Sequence, residues 1–290
     1  MPRIPRCAHA IVGGSGTAAI DFPGALGDSR VRVISDAIKA TTPFGDSPPV
    51  RHIAVTLGDG SEREALVARM HGWQHGVGRH DATLALFWLL REAGVRRVIA
   101  EAGSGSITQN FRPRDLVLPH DVIDLTRQVG GQIDPGTVVL MRTPFCPEIR
   151  EALWEQSLRW AADKATRAFN RAVYATTEGT RFESAAEVAA YARLDADVVG
   201  QAVSPEVYLA REIGACYAVL TIVLNYAEGV RPTWDYSLLE EIVRDDARSL
   251  GLLLLEALVR LPEQARCACL TYRRRQISAD PSTTTLPDTA

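Results

Sequence analysis

No apolar run in this chain approaches the roughly 20 residues that a membrane span requires, and Met1–Arg6 is not followed by a signal-type apolar region. The expected protein is therefore soluble, with no membrane partner. No basic block is long enough to suggest nucleic acid, and the formal net charge is only −3. Cysteine is sparse: Cys7, Cys146, Cys216, Cys267 and Cys269 include no C-x-x-C pair. An odd, scattered set is expected of reduced thiols in a cytoplasm, not of a disulfide framework. The Cys267-Ala-Cys269 pair could bind a metal, but the expectation is that the protein holds none. Internal repeats and linker-like composition are missing too. What is present is 46% hydrophobic residues over 290 positions, enough for a sizeable core. One α/β domain is expected over residues 1–272, with 273–290 as a polar, mobile tail.

β-branched and apolar runs place strands at Ala8–Val12, Val31–Ile34, His52–Leu57, Ala65–Arg69, Arg97–Ala100, Asp115–Leu118, Ala172–Thr176 and Asp197–Val199. Polar-apolar alternation continues through Asp121–Asp124. Cys216–Leu224 is the most apolar strand and so is expected at the centre of the sheet. Helical spacing marks His80–Gly94, Pro147–Thr166, Ala185–Arg193, Pro205–Gly214 and Asp235–Leu261. Thr41–Val50, with its prolines and glycine, reads as a loop, and so does the glycine-rich stretch Gln128–Thr143.

Three features carry chemistry. After the first strand, Gly13-Gly14-Ser15-Gly16 can turn backbone N–H groups and a hydroxyl towards an anion, and Glu101–Ser106 reads as a second glycine-rich turn. Two such turns after two strands fit a ligand lying over the strand C-termini. At another strand end, Arg69, His71 and His75 offer a guanidinium fork and imidazoles to phosphate-like oxygens; a solvated loop with one structural histidine is the plainer alternative. In Thr176–Glu206 an aromatic and a carboxylate, Phe182 and Glu183, meet at a strand-to-helix junction, where they can hold a flat heterocycle by face and edge. Asn225 adds a polar side chain at the end of the apolar strand.

These motifs, in this order, resemble the trimeric purine nucleoside phosphorylases of the methylthioadenosine phosphorylase branch. Pro43-Phe44-Gly45, Pro113-x-Asp115, Asp121–Thr126 and Pro205-Glu206-x-x-Leu209-Ala210-x-Glu212 extend the likeness over roughly residues 8–262. The resemblance implies a three-layer α/β sandwich around a mixed, partly barrel-like sheet, in a cytoplasmic homotrimer. It implies cleavage of a purine nucleoside by inorganic phosphate to free base and pentose 1-phosphate, without metal or organic cofactor. Carried over position by position, Ser15, Arg69, His71 and the amide around Gly103 fall at phosphate positions, with His71 and Asn225 as the catalytic pair. Phe182 packs on the purine, Glu183 and Asn225 read its edge, and Gln201 and Ala202 stand beside the sugar. A carboxylate at 183 accepts from N1–H of a 6-oxopurine, a hydrogen that adenine lacks.

The chain also departs from that pattern. Gln201 stands where the resemblance calls for an apolar methionine, and Ala202 where it calls for a phosphate-binding hydroxyl. Losing one charged hydrogen bond of about 1.5–3 kcal/mol lowers anion affinity roughly ten- to a hundredfold. A phosphorylase with altered sugar or 5′-group preference is the leading reading. The others are an enzyme using water or another nucleophile on a nucleoside-like substrate, and a non-catalytic nucleoside-binding subunit.

Overall fold

The computed structural model describes residues 4–127 and 132–276. Residues 128–131 of the expected loop and 277–290 of the expected tail lie outside the described residues, as do Met1–Arg3.

In chain order the first half holds β1 (His9–Val12), β2 (Val31–Ile38), β3 (Thr41–Thr42), β4 (Gly45–Asp46), β5 (Val50–Thr56), β6 (Glu62–Ala68) and helix α1 (Arg79–Ala93). There follow β7 (Arg97–Ser106), β8 (Leu116–Val117), β9 (Asp121–Asp124), β10 (Thr137–Val139) and α2 (Pro147–Asp163). The last part holds β11 (Ala168–Phe169), β12 (Val173–Thr176), α3 (Ala185–Arg193), β13 (Val198–Gly200), α4 (Val203–Glu212), β14 (Cys216–Tyr226), α5 (Tyr236–Arg260) and β15 (Arg273–Arg275).

Eleven strands form one mixed sheet in the order β11-β8-β14-β7-β1-β6-β5-β2. β14 and β7 run parallel through its middle, paired from Cys216↔Arg97 to Tyr226↔Ser106. Both are buried along almost their whole length, which is why Cys216–Leu224 of β14 reads as a continuous apolar run and not as alternation. Beyond Ala100, where β1 ends, β7 gains β13 as an antiparallel neighbour, and β13 leads to β12 and β9. The branch leaves the sheet open: among the described residues β11, β2 and β9 each pair with one strand only. The fold is thus mixed α/β around a large mixed sheet. The helices pack in pairs, α1 with α4 and α2 with α5, and α2, α4 and α5 each lie against β14. No described helix is long and apolar enough to cross a membrane.

Three local expectations are corrected. Gly103-Ser104-Gly105-Ser106 is not a turn but the second half of β7, because β14 continues the ladder residue by residue past Ala100. Within Gln128–Thr143, Thr137–Val139 is a strand, antiparallel to Arg273–Arg275 from the start of the expected tail. Its paired backbone groups and the ion pairs of Arg273 and Arg275 with Asp134 tie that part of the tail down. Thr41–Val50 is not wholly irregular either, since it contains the two-residue ladder of β3 and β4.

Candidate active site

The C-terminal ends of β7, β13 and β14 open onto a cavity of about 410 Å³. Its two ends are built from different materials.

At one end stand Phe182, Glu183 and Asn225. Phe182 is 47% exposed, and its ring meets Trp234 edge-on at 5.5 Å between centroids. A face left this open, beside a cavity, is available for stacking. Glu183 is buried, and the Thr177 hydroxyl donates to its Oε1 at 2.5 Å, which orients the carboxylate while leaving Oε2 free. Immediately after it, Ser184 caps α3 through a reciprocal capping box with Glu187, whose carboxylate also holds Arg181. That cap anchors the segment carrying the aromatic-carboxylate pair. Burial of Asn225 at the end of β14 follows from a β-bulge between Val223 and Asn225 that re-aims the side chain. One amide N–H donates to the Tyr226 carbonyl at 2.8 Å; the second is free for a ligand.

At the other end stand Ser15, His71 and Gly103. His71 is buried, with Nδ1 2.8 Å from Glu206 Oε1, and Glu206 Oε2 accepts from the Tyr217 hydroxyl at 2.7 Å. A carboxylate acceptor on Nδ1 assigns the proton there and turns Nε2 towards the Gly14–Ser15 corner. Contact at that corner is so close that a Cβ on Gly14 would lie 2.5 Å from His71 Nε2 and 2.2 Å from the Glu101 carbonyl. The backbone achieves it with left-handed conformations at both Met70 (φ 46°) and His71 (φ 55°). Two such non-glycine residues cost roughly 1–3 kcal/mol each, a strain typical of functional sites.

The same twist sends Arg69 outwards. Its guanidinium lies 3.4 Å from Asp21 and 3.0 Å from the Ile20 carbonyl, and Met70, not Arg69, faces the cavity. The glycine-rich turn also differs from expectation: the buried Glu101 carboxylate accepts from the amides of Gly14, Gly16 and Thr17 and from the Thr17 hydroxyl. Burial raises the Glu101 pKa, and those amides pull it back down. Three amides that could face an external anion are therefore already occupied by an internal carboxyl group.

Between the two ends, Gln201 and Ala202 line the cavity. Both ends of the Gln201 amide are engaged: Oε1 accepts from Arg79 Nη1 at 2.8 Å, and Nε2 donates to the Arg181 carbonyl at 2.8 Å. The Arg79 guanidinium stacks 3.9 Å over the Trp73 ring, which in turn lies 4.9 Å from the His71 ring. Gly179, at φ +83°, makes room for it; a Cβ there would fall 1.9 Å from Arg79 Nη1. Burial lowers the Arg79 pKa, yet an arginine remains charged. As the first residue of α1 it occupies the positive end of a helix, where a cation costs about 0.3–1 kcal/mol. Arg79, Trp73, Glu206 and Glu101 were missed by sequence reasoning. For Arg79 the signal was available: a lone arginine after Gly76-Val77-Gly78 at a helix start.

A family model described as the Phosphorylase superfamily matches residues 10–260. Over 282 residues the chain is 36% identical to the 6-oxopurine nucleoside phosphorylase of Pyrococcus furiosus, covering 93% of this chain and 97% of that protein. Over 274 residues it is 30% identical to the S-methyl-5′-thioadenosine phosphorylase of Pyrococcus horikoshii, with 93% and 96% covered. Among solved structures, a methylthioadenosine phosphorylase from an antarctic soil metagenomic library matches with a TM-score of 0.69 at 25% identity, covering 92% of this chain and 91% of that one. A mutant adenosine/methylthioadenosine phosphorylase from Schistosoma mansoni, in complex with adenine, matches in fold with a TM-score of 0.73 at 22% identity, covering 89% and 93%.

Proposed function

The chain belongs to the Phosphorylase superfamily, and from that premise we propose that it cleaves the N-glycosidic bond of a purine nucleoside with inorganic phosphate. The observation that carries this reading is a single cavity with an aromatic-carboxylate-amide set at one end and the Ser15–His71–Glu206 group with Arg79 at the other. The same reading includes a single domain over residues 1–272, a cytoplasmic homotrimer, and no cofactor beyond phosphate as co-substrate.

In this reaction the C1′–N9 bond breaks, its electron pair leaves with the purine, and a phosphate oxygen bonds C1′. Positive charge builds on the sugar while negative charge builds on the base. Phe182 holds the purine face, and the Glu183 carboxylate accepts from N1–H, which favours 6-oxopurines. The free N–H of Asn225 donates to N7 or O6 as charge develops there, the preorganised electrostatic help that acts mainly in the transition state. Ser15, the backbone at Gly103 and His71 Nε2 hold the nucleophile, with Glu206 fixing the imidazole. Arg79 supplies the guanidinium that Arg69 does not, and Gln201 aims it. Because Gln201 also holds the carbonyl of Arg181, it couples the phosphate end to the loop carrying Phe182.

The test incubates the protein with inosine, guanosine, adenosine and their 5′-methylthio analogues, with and without phosphate. Base release that requires phosphate, with pentose 1-phosphate as co-product and faster turnover of 6-oxopurines, is the expected result. A second reading, water as nucleophile, is favoured by Glu101 filling the glycine-turn amides and by Ala202 lacking a hydroxyl. Equal release without phosphate would establish it instead.

A further inference from the structure

At the far end of β14 from Asn225, about 30 Å away along a strand rising ~3.3 Å per residue, four cysteine side chains converge. The sulfurs of Cys146, Cys216, Cys267 and Cys269 all lie within 4.8 Å of one another. They come from three separate places: the N-cap of α2, the first residue of β14, and the segment between α5 and β15. We propose that these four residues form a tetrathiolate site for one zinc-class divalent cation.

The geometry suits that ligand. Four sulfurs at about 2.3 Å from a tetrahedral zinc stand roughly 3.8 Å apart, within the mutual limit seen here. The Cys216–Cys267 separation is 3.3 Å, well beyond the roughly 2.05 Å of a disulfide bond. Three of the four are buried and Cys267 is half-buried, so the cluster is closed except for one path by which an ion can enter. With four protein ligands and no open position, the role is structural and not catalytic. It would pin the segment after α5 to the start of α2 and to the central strand.

The surroundings prepare the site for negative charge. Cys146 is the N-cap residue of α2, so its side chain starts from the positive end of that helix. Binding converts four thiols and a dication into a complex of charge −2 with release of four protons. One buried guanidinium reaches the backbone of the cluster. Arg211 donates to the carbonyls of Thr143 and Pro144 and reaches that of Cys269 at 3.5 Å. Arg97, the strand partner of Cys216, is buried and already paired, its Nη2 3.2 Å from Glu148 Oε2.

The test strips reduced, full-length protein of metal and titrates it with Zn²⁺ against a chromophoric chelator, while thiols are counted in denaturant without reductant on the protein as isolated. The expected result is about one zinc per chain, a higher Tm on loading, and five titratable thiols once the metal is chelated. Co²⁺ in place of Zn²⁺ should give the intense thiolate-to-metal bands of a tetrahedral sulfur site. Cys267→Ser, the least buried position, should weaken zinc binding at least tenfold, and Cys7→Ser should leave it unchanged. If Cys267→Ser fails to fold, the wild-type titration decides alone. Three or one free thiols in the isolated protein would mean disulfides in place of the metal. Five free thiols with no zinc uptake at equimolar ion would overturn the proposal equally.

Discussion

The two ends of the cavity are held by different means. At the base end each functional group has one local partner: Thr177 for Glu183, Trp234 for Phe182, Tyr226 for Asn225. Each partner lies close in sequence or on a neighbouring loop, so the group and its orientation travel together. At the anion end the partners are distant: Glu206 reaches His71 across 135 positions, Gln201 reaches Arg79 across 122, and Glu101 closes the first glycine turn across 85 to 87. Long-range partners can be exchanged while the local motif stays intact. That is what distinguishes the ends. In the proposed assignment Arg69 points away from the anion end, Glu101 fills its glycine turn, and Arg79 comes in through Gln201.

If the ends work independently, substitutions at the base end should change nucleoside turnover and binding but not the KM for phosphate. The largest effect belongs to Asn225→Ala. Losing a donor aimed at developing charge should lower kcat about a hundredfold with much less change in nucleoside binding; steady-state kinetics on inosine at saturating phosphate separates the two. An unchanged kcat would remove Asn225 from the chemistry. Next comes Glu183→Gln, which should narrow the preference for inosine over adenosine about tenfold, the value of one charged hydrogen bond near 1.5 kcal/mol. Equal losses on both nucleosides would assign Glu183 a structural role. Phe182→Ala is the smallest: loss of a stacking face of ~1 kcal/mol should raise the nucleoside KM about fivefold with kcat nearly intact. A rise in phosphate KM with any of these would mean that Gln201 couples the two ends more tightly than their separate construction suggests.

The same contrast accounts for what was legible in the sequence. β14 and the long helices could be placed because burial on all sides and helical spacing leave direct marks, Glu183 and Asn225 because their partners are near in sequence, and Phe182 because it stands next to Glu183. Glu101 reads in sequence as the first residue of a glycine-rich turn, but the structure makes it the buried middle of β7, since only the pairing with β14 extends that strand. Arg69 and Met70 could not be told apart by position, because which of them faces inwards depends on two left-handed residues that no pattern announces. Gln201 looked like an incongruous sugar contact; its amide is explained only once Arg79 and the Arg181 carbonyl are in place. The cysteines were legible in number but not in convergence, since 69 and 50 residues of chain separate Cys146 from Cys216 and Cys216 from Cys267.

The account turns on which arginine faces the nucleophile, and one paired measurement decides it. The KM for phosphate should be determined with inosine for Arg79→Ala and Arg69→Ala side by side. Arg79→Ala should raise it about tenfold or more through loss of a charged contact near 1.5 kcal/mol or above, while nucleoside KM changes little. Arg69→Ala, an exposed group paired only with Asp21 and loop carbonyls, should change it less than twofold. The reverse ranking, a large phosphate effect at Arg69 with little at Arg79, would contradict the rebuilt anion end.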